Sequence, residues 1–195
     1  MLIPDHIVKG LVLGIRHRRE LATLLRSTSP GFSTLDLEPA RLHSEGIKVL
    51  ALDFDGVLAT HGAECPLDVM TAWLDRCVAI FGSDKIFILS NKPTAIRNNW
   101  FTERFPGIRF ISGVRKKPYP DGLKTIGELS RVPPETILMV DDRLLTGCLA
   151  AILYGARPSY IRKPFASLSG DNAVPEFFFM LLRLAERVLI RCCSR

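Results

Sequence analysis

From residue 47 onward, short apolar runs alternate with amphipathic stretches, and this alternation restricts the fold more than any other feature. The apolar runs are continuous, which is typical of strands that are buried on both faces of a sheet. The stretches between them repeat apolar residues at helical spacing. The pattern predicts strands over 47–54, 85–90, 108–112, 136–141 and 158–161, and helices over 66–81, 93–105, 121–132 and 143–155.

Strands that alternate with helices in this way form a parallel sheet covered by helices on both faces. We therefore expect an α/β fold, a three-layer α/β/α sandwich with a central parallel sheet. The flanking segments predict a helix over about 4–26, a loop rich in turn formers over 27–40, and an amphipathic helix over about 174–192. The length of 195 residues fits a single domain over 1–195.

Composition and charge exclude several classes of protein. A hydrophobic content of 47% and a charged content of 24% are ordinary for a globular protein and argue against disorder. No apolar stretch reaches the roughly 18 residues of a membrane span, and no secretory signal is recognisable. Five cysteines without a C-x-x-C spacing argue against a disulfide framework or a zinc cluster and favour a reducing compartment. The net charge of +6 favours an anionic partner.

Polar side chains follow four of the predicted strands, at the point where each strand ends. Because the carboxyl ends of parallel strands share one edge of the sheet, these groups should line a common crevice. Each group is ordinary when taken alone, since such residues also cap helices and form turns. Their occurrence together favours a functional site. In chain order they are Asp53 and Asp55, Ser90 and Asn91, Lys116 and Lys117, and Asp141 and Asp142.

Several carboxylates in one crevice repel each other and need a cation. Two unit charges about 4 Å apart interact by roughly 4 kcal/mol at an effective dielectric constant near 20. Mg²⁺ is suited to the place, because it takes oxygen ligands and binds phosphate oxygens through one or two carboxylates. A lysine adds a second positive charge. Such a cation-rich pocket beside a carboxylate favours phosphoryl transfer.

The same residues resemble a known family. The segments "DFDGVLAT", "ILSNKP", "RKKPYP" and "LMVDDRLLTG" are similar, in this order, to the four motifs of the haloacid-dehalogenase-like (HAD) phosphatases. The resemblance spans about residues 47–160. The phrase "RKKPYPDGL" and the opening "LIPDHIVKGL" are more narrowly similar to subclass IIIA, which includes YqeG-like bacterial proteins and mitochondrial phosphatidylglycerophosphate phosphatases.

The resemblance implies a role for each acidic residue of the first motif. Asp53 is expected to attack phosphorus and form an aspartyl-phosphate. Asp55 is expected to protonate the leaving alkoxide and later to take a proton from the hydrolytic water. Mg²⁺ is expected as cofactor, held by the Asp53 carboxylate, the Asp55 backbone carbonyl and Asp142.

The resemblance also implies a phosphate site, formed by Ser90, Asn91 and Lys117. One departure from the family pattern lies in the fourth motif. The family usually has Gly-Asp there, with a second aspartate five residues later, whereas this chain has Asp141 and Gly147 at the first and last of these positions. Asp141 either supplies the missing negative charge or crowds the metal.

The spacing of the motifs bears on the substrate. The gaps 55–90 and 90–117 hold one helix each, with no room for a cap domain, so an uncapped crevice should admit a phosphate on a macromolecule or on a lipid in a membrane. In the last predicted helix, Arg183, Glu186 and Arg187 fall on one side of an otherwise apolar stretch. This indicates either an interfacial helix that is basic on one face or a helix packed on the core with a charged outer face.

Three hypotheses follow. The first is a Mg²⁺-dependent phosphatase that converts phosphatidylglycerophosphate to phosphatidylglycerol, peripheral to a membrane through the terminal helices. The second is a soluble phosphatase for a nucleotide or sugar phosphate, and the third is a phosphate- or metal-binding adaptor with weakened catalysis. We expect a phosphorylated partner rather than a nucleic acid. The expected location is cytoplasmic, peripheral on the inner membrane, on the mitochondrial matrix side in a eukaryote.

Overall fold

A computed structural model describes residues 5–168 and 173–193 and has a five-stranded parallel sheet at its centre. The strand order is β3-β2-β1-β4-β5, and each neighbouring pair is parallel. The expected α/β class is thus confirmed. The strands are β1 (Val49–Leu52), β2 (Ile86–Ile88), β3 (Arg109–Phe110), β4 (Ile137–Asp141) and β5 (Arg157–Tyr160).

Helices cover both faces of this sheet because the central strand is apolar on both of its sides. Leu50 and Leu52 of β1 point into a cluster that includes residues of α4 and α5. Val49 and Ala51 point to the opposite face, where α6 and α7 pack. The described helices are α1 (Asp5–Arg16), α2 (Arg18–Ser27), α3 (Pro39–Ser44), α4 (Asp68–Phe81), α5 (Ala95–Arg104), α6 (Asp121–Ser130), α7 (Leu149–Tyr154) and α8 (Ala173–Cys193).

Two predicted helices differ from the structure. The single helix expected over 4–26 is two helices, because His17 leaves helical geometry at φ −99° and ψ 25°; residue 4 lies outside the described residues. The helix expected over 143–155 begins instead with one π-helical turn over 144–148, followed by α7. The short helix α3 overlaps the end of the loop predicted over 27–40. Periodicity alone gave no signal for these local changes of backbone geometry.

Helices α1 and α2 pack differently, which explains why they are separate. Helix α2 buries three apolar residues in a third cluster, together with Ile190 of α8. Helix α1 buries only Gly10 and Gly14. A Cβ atom on Gly14 would lie 2.4 Å from Leu145 Cδ2, so the glycines allow α1 to lie close to the segment that follows β4.

The close approach through glycines leaves the larger apolar side chains of α1 pointing outward. Five of them are 44–59% exposed to solvent: Ile7, Val8, Leu11, Val12 and Ile15. None of the helices within residues 5–168 and 173–193 has the length and hydropathy needed to cross a membrane.

The chain has no cap domain at the two positions where one was considered. Between Asp55 and Ser90 it forms α4, and between Ser90 and Lys117 it forms α5 and β3, with short connecting segments. The crevice beyond the strand ends is therefore not covered by an inserted domain. Helix α8 instead approaches this crevice from one side, through Phe179.

Candidate active site

All six residues predicted for the site line one crevice of about 100 Å³ at the carboxyl ends of the strands. The sheet brings them together because β1 lies between β2 and β4, which places their ends side by side. The backbone N–H of Asp53 donates to the carbonyl of Val140 (2.9 Å), so the first motif is fixed against the fourth. The six residues are Asp53, Asp55, Ser90, Asn91, Lys117 and Asp142.

Lys117 is the buried cation of this crevice. It is 3% exposed, and its Nζ lies 3.0 Å from Asp53 Oδ1 and 2.5 Å from Asp141 Oδ2. Burial opposes the charged form, but the Asp141 and Asp53 carboxylates outweigh it and raise the pKa of Lys117. Lys117 therefore stays protonated and can neutralise a bound phosphate. The choice of Lys117 over Lys116 agrees with this geometry, since Lys116 is exposed.

Ser90 and Asn91 hold the loops around this lysine. The side-chain amide oxygen of Asn91 accepts a hydrogen bond from the backbone N–H of Lys117 (2.9 Å), which fixes the loop after β3. The Ser90 hydroxyl accepts one from the backbone N–H of Lys92 (3.1 Å) and is nearly buried at the crevice wall. The Ser90 hydroxyl can still donate to an anion in the crevice, because as acceptor it keeps its own hydrogen free.

Asp55 is held by an arginine that the sequence analysis did not single out. Arg97 of α5 donates from Nη2 to Asp55 Oδ1 (2.8 Å) and from Nη1 to Oδ2 (3.2 Å). The guanidinium also lies 3.9 Å from the centre of the Phe54 ring and is 4% exposed. The sequence did contain one signal. Arg97 falls near the start of a predicted helix, where the helix dipole disfavours a positive charge, so an acidic partner elsewhere in the fold was to be expected.

The last helix completes the site from the other side. Arg183 of α8 donates from Nε to Asp142 Oδ2 (2.5 Å) and from Nη1 to Glu176 Oε1 (3.0 Å). Both carboxylates and the guanidinium are almost fully buried. Arg143 makes a second pair with Glu186 of α8, with Nε 2.6 Å from Oε1. One buried and one partly buried ion pair thus fasten α8 to the loop that follows β4.

These pairs determine which side of the last helix faces the protein. Arg183 and Glu186 are 3% and 5% exposed and face the site, so the charged side of α8 points inward. The apolar side points outward. Its larger exposed residues are Val174, Phe177, Phe178, Met180, Leu181, Leu184 and Val188, which are 39–79% exposed. Of the two alternatives, a helix packed on the core with a charged outer face does not describe this arrangement, and an interfacial helix stays a prediction.

Three carboxylates can hold a divalent cation. One oxygen each of Asp53, Asp141 and Asp142 lies within 4.8 Å of the others. Opposite oxygens around Mg²⁺ are about 4.2 Å apart, twice a bond of about 2.1 Å, so the oxygens need to close only slightly around the ion. The all-oxygen donor set fits Mg²⁺. Asp141 enters this cluster by its side chain, which adds a carboxylate to the predicted ligands.

The carboxylates are destabilised as long as no divalent cation is bound. Burial raises the pKa of Asp53 to about 8, against the attraction of Lys117 and with further repulsion from Asp141 and Asp142. Burial likewise raises the pKa of Asp142 to about 6, against the attraction of Arg183. A divalent cation beside these groups would favour their ionised forms.

The departure in the fourth motif has a steric explanation. A Cβ atom on Gly147 would lie 2.0 Å from Asp141 Oδ2, so an aspartate at 147 and the present Asp141 could not both fit. The Asp141 carboxylate also accepts from the backbone N–H of Arg143 (2.8 Å) and the Thr146 hydroxyl (3.2 Å). Asp141 therefore occupies the space of the family's second aspartate and supplies a negative charge there.

Comparison with known proteins agrees with these features. The sequence model of the family described as mitochondrial PGP phosphatase matches residues 18–166. The chain belongs to this family. The resemblance to HAD phosphatases is thereby confirmed, and the protein is a HAD-type phosphatase with a HAD-like fold. A comparison with curated proteins found no match.

Solved structures similar to this phosphatase include a protein from Corynebacterium glutamicum described as uncharacterized, 22% identical. The match covers 69% of this chain and 95% of that chain, with a TM-score of 0.46. A HAD family enzyme from Bacteroides thetaiotaomicron, crystallised with magnesium and inorganic phosphate, is 17% identical. That match covers 59% of this chain and 94% of the other, with a TM-score of 0.40.

Other residues of the phosphatase reach the crevice without having been assigned a role. His61 and Phe179 lie at its wall with ring centroids 3.7 Å apart. Burial lowers the pKa of His61, so the ring is neutral at pH 7. Lys92 is exposed at the rim, with Nζ 5.9 Å from the centre of the Phe179 ring. No spacing pattern in the sequence connects these residues, because they come from separate loops and from α8.

Proposed function

We propose that this phosphatase is Mg²⁺-dependent, forms an aspartyl-phosphate on Asp53, and converts phosphatidylglycerophosphate to phosphatidylglycerol at a membrane surface. The chemistry is supported by the crevice that gathers Asp53, Lys117 and Asp142 around a single anion-sized space. The lipid substrate is supported by one observation above all, the outward apolar face of α8. Family membership suggests the mitochondrial inner membrane, on its matrix side, as the location.

In the first step, an oxygen of the Asp53 carboxylate attacks phosphorus, and the bond from phosphorus to the ester oxygen breaks. Lys117 and the Ser90 hydroxyl stabilise the charge on the phosphoryl oxygens. Asp55 acts as the general acid and gives a proton to the leaving alkoxide, so that the lipid leaves as an alcohol. Arg97 positions Asp55 by its two hydrogen bonds and has to yield one of them when the carboxyl is protonated.

In the second step, a water molecule attacks phosphorus of the aspartyl-phosphate. The Asp55 carboxylate takes a proton from this water, and the bond from phosphorus to the Asp53 oxygen breaks. Inorganic phosphate leaves, and Asp53 returns to its carboxylate form. The Asp53, Asp141 and Asp142 carboxylates, with the Asp55 backbone carbonyl, would hold Mg²⁺, which neutralises charge and polarises the phosphoryl group.

The proposed lipid substrate is supported by the way in which the two terminal helices pack on the protein. Helix α1 packs through glycines and helix α8 packs through ion pairs, and both helices turn apolar side chains to solvent. Exposed apolar patches of this kind mark contact with a membrane or another protein. Exposed basic residues flank them, including Lys9, Arg16, Arg19 and Arg191. Basic residues beside an apolar face favour an anionic bilayer.

The proposal is tested by phosphate release from vesicles that contain phosphatidylglycerophosphate, with Mg²⁺ and with EDTA. We expect turnover only with Mg²⁺, and a loss of about a thousandfold or more in Asp53→Asn, since the nucleophile is removed. No turnover with Mg²⁺, or full turnover in Asp53→Asn, would refute the reaction. Turnover of a nucleotide or sugar phosphate in preference to the lipid would support the soluble phosphatase.

Membrane contact is tested separately by vesicle cosedimentation. Phe177→Ser combined with Phe178→Ser removes two half-exposed rings, which together contribute about 1.5–3 kcal/mol if half of each side chain leaves water. Affinity for anionic vesicles should therefore fall at least about tenfold. Leu129→Ser, on α6 and 48% exposed, is the matched control. Equal binding of both variants, or a stable oligomer that covers the face in solution, would contradict membrane docking.

A further inference from the structure

A groove of about 730 Å³ runs between α1 and α8, beside the active-site crevice. Lys117, Arg143 and Thr146 line both the groove and the crevice, so the two spaces lie next to each other along these residues. Beyond them the lining is largely apolar. It includes Ile7, Leu11, Leu145, Leu182 and Leu189.

The groove is long, and the charged residues Lys117, Arg143 and Glu186 of its wall are in ion pairs. On α8 the lining extends over the twelve residues from Leu181 to Cys192, about 16 Å along the helix axis. Its acidic residue Glu186 is neutralised by Arg143. Gly10 brings α1 close enough to close the groove on the other side, because a Cβ atom there would lie 3.1 Å from the Leu145 carbonyl oxygen.

We propose that this groove binds an acyl chain of a phospholipid whose phosphomonoester group lies in the active-site crevice. The inference rests on the proposed function and names a second binding site for the same substrate. Lys117, the cation that would face the phosphate, lines both the groove and the crevice. The sides of the groove are the outward apolar faces of α1 and α8, so a chain can enter from the bilayer without crossing water.

Other occupants fit the lining less well. A sugar or nucleotide brings polar groups, which lose hydrogen bonds to water and find few partners along an apolar wall. A peptide brings backbone N–H and C=O groups with the same cost. A hydrocarbon chain has no such groups, and it removes from water the side chains that line the groove.

The test is direct binding of single-chain acyl glycerol phosphates, with hexanoyl, octanoyl and decanoyl chains, to the full chain. Isothermal titration below the micelle concentration and in EDTA measures affinity without turnover. We expect affinity to rise by up to roughly fourfold per methylene group, the value for full burial of each CH₂. Ala185→Trp places a large ring in the groove and should abolish this rise with chain length. Val174→Trp, on the same helix but outside the groove and 79% exposed, should keep it.

A second groove variant makes the test independent of one substitution. Leu182→Gln removes apolar surface without adding bulk and should also reduce the dependence on chain length. If affinity does not depend on chain length, or depends on it equally in Ala185→Trp and the original chain, the groove does not hold the acyl chain. If the dependence persists but vesicle turnover with Mg²⁺ is absent, the proposed reaction is wrong and the groove still binds lipid.

Discussion

The Asp141 side chain occupies the space that a side chain at position 147 would need. Substitutions at the two positions should therefore have strongly coupled effects on stability. The proteins to compare are the original chain, Asp141→Gly, Gly147→Asp and the double variant. A Cβ atom at 147 would lie 2.0 Å from Asp141 Oδ2 and 2.6 Å from Asp141 Cβ, so the obstacle to an aspartate at 147 is Asp141 itself. The φ angle of Gly147 is outside the left-handed region, so its backbone accepts other residues.

Each single substitution should lower the free energy of unfolding by several kcal/mol. Asp141→Gly removes a partner 2.5 Å from the buried Lys117, and breaking a buried pair costs about 3–5 kcal/mol. The lower end applies, because Asp53 remains 3.0 Å from the lysine. Gly147→Asp adds about 1–3 kcal/mol from overpacking, and repulsion between carboxylates about 4 Å apart adds roughly 4 kcal/mol at an effective dielectric constant of 20.

The double variant should lose much less unfolding free energy than the sum of the losses in the two single variants. Without the Asp141 side chain, a carboxylate at 147 can occupy the vacated space near Lys117, which removes both the overlap and the repulsion. We therefore expect a coupling energy of at least about 3 kcal/mol in favour of the double variant. In a chain of this size, about 1 kcal/mol shifts the Tm by roughly 2–4 °C. The Tm of the double variant should therefore lie about 6–12 °C above the value expected if the two single effects were additive.

The measurements are urea unfolding of all four proteins and phosphate release from a soluble phosphomonoester with Mg²⁺. Activity should follow the same order, with the double variant above both single variants. Additive unfolding free energies, within about 0.5 kcal/mol, would refute the reasoning, because they would mean that the two positions do not share a space.

Three further predictions concern neighbouring groups. The raised pKa of Asp53, about 8, means that the folded protein keeps a proton which the unfolded chain releases near pH 4. Stability without metal should therefore fall by several kcal/mol as pH rises from about 4 to 8; urea unfolding in EDTA should show this, less steeply in Asp53→Asn, and a flat profile would contradict it. Arg97→Gln should lower kcat about 10- to 100-fold and alter its pH profile, because Asp55 loses its positioning partner, and Arg97→Lys should restore part of the rate. Gly56→Ala should weaken Mg²⁺ binding at least about tenfold by calorimetry, since Gly56 has φ +83° and its Cβ would lie 2.5 Å from Asp142 Oδ2; unchanged affinity would show that Asp142 can move without loss.

The residues at the strand ends could be placed from the sequence, because all parallel sheets share the geometry that positions them. Continuous apolar runs give parallel strands, and parallel strands deliver the residues that follow them to one edge. This was enough to bring Asp53, Ser90, Lys117 and Asp142 to one crevice. The family resemblance added the expected roles, which stay predictions until the variants are assayed.

The orientation of α8 could not be read in the same way. Helical periodicity separates a charged side from an apolar side, but it does not tell which side faces the protein. The charged side faces inward here because Asp142 and Arg143 offer Arg183 and Glu186 partners of opposite sign. Those partners are about forty residues away in sequence, and only the folded sheet brings them within reach.

The pairing of Asp142 with Arg183 also sets an order of assembly. The two are 41 positions apart, so every strand of the sheet is synthesised before the guanidinium that faces Asp142. A nascent chain can form its sheet while this aspartate is still without a counter-ion. Early termination ahead of α8 would therefore remove the buried partner of Asp142 and one wall of the crevice.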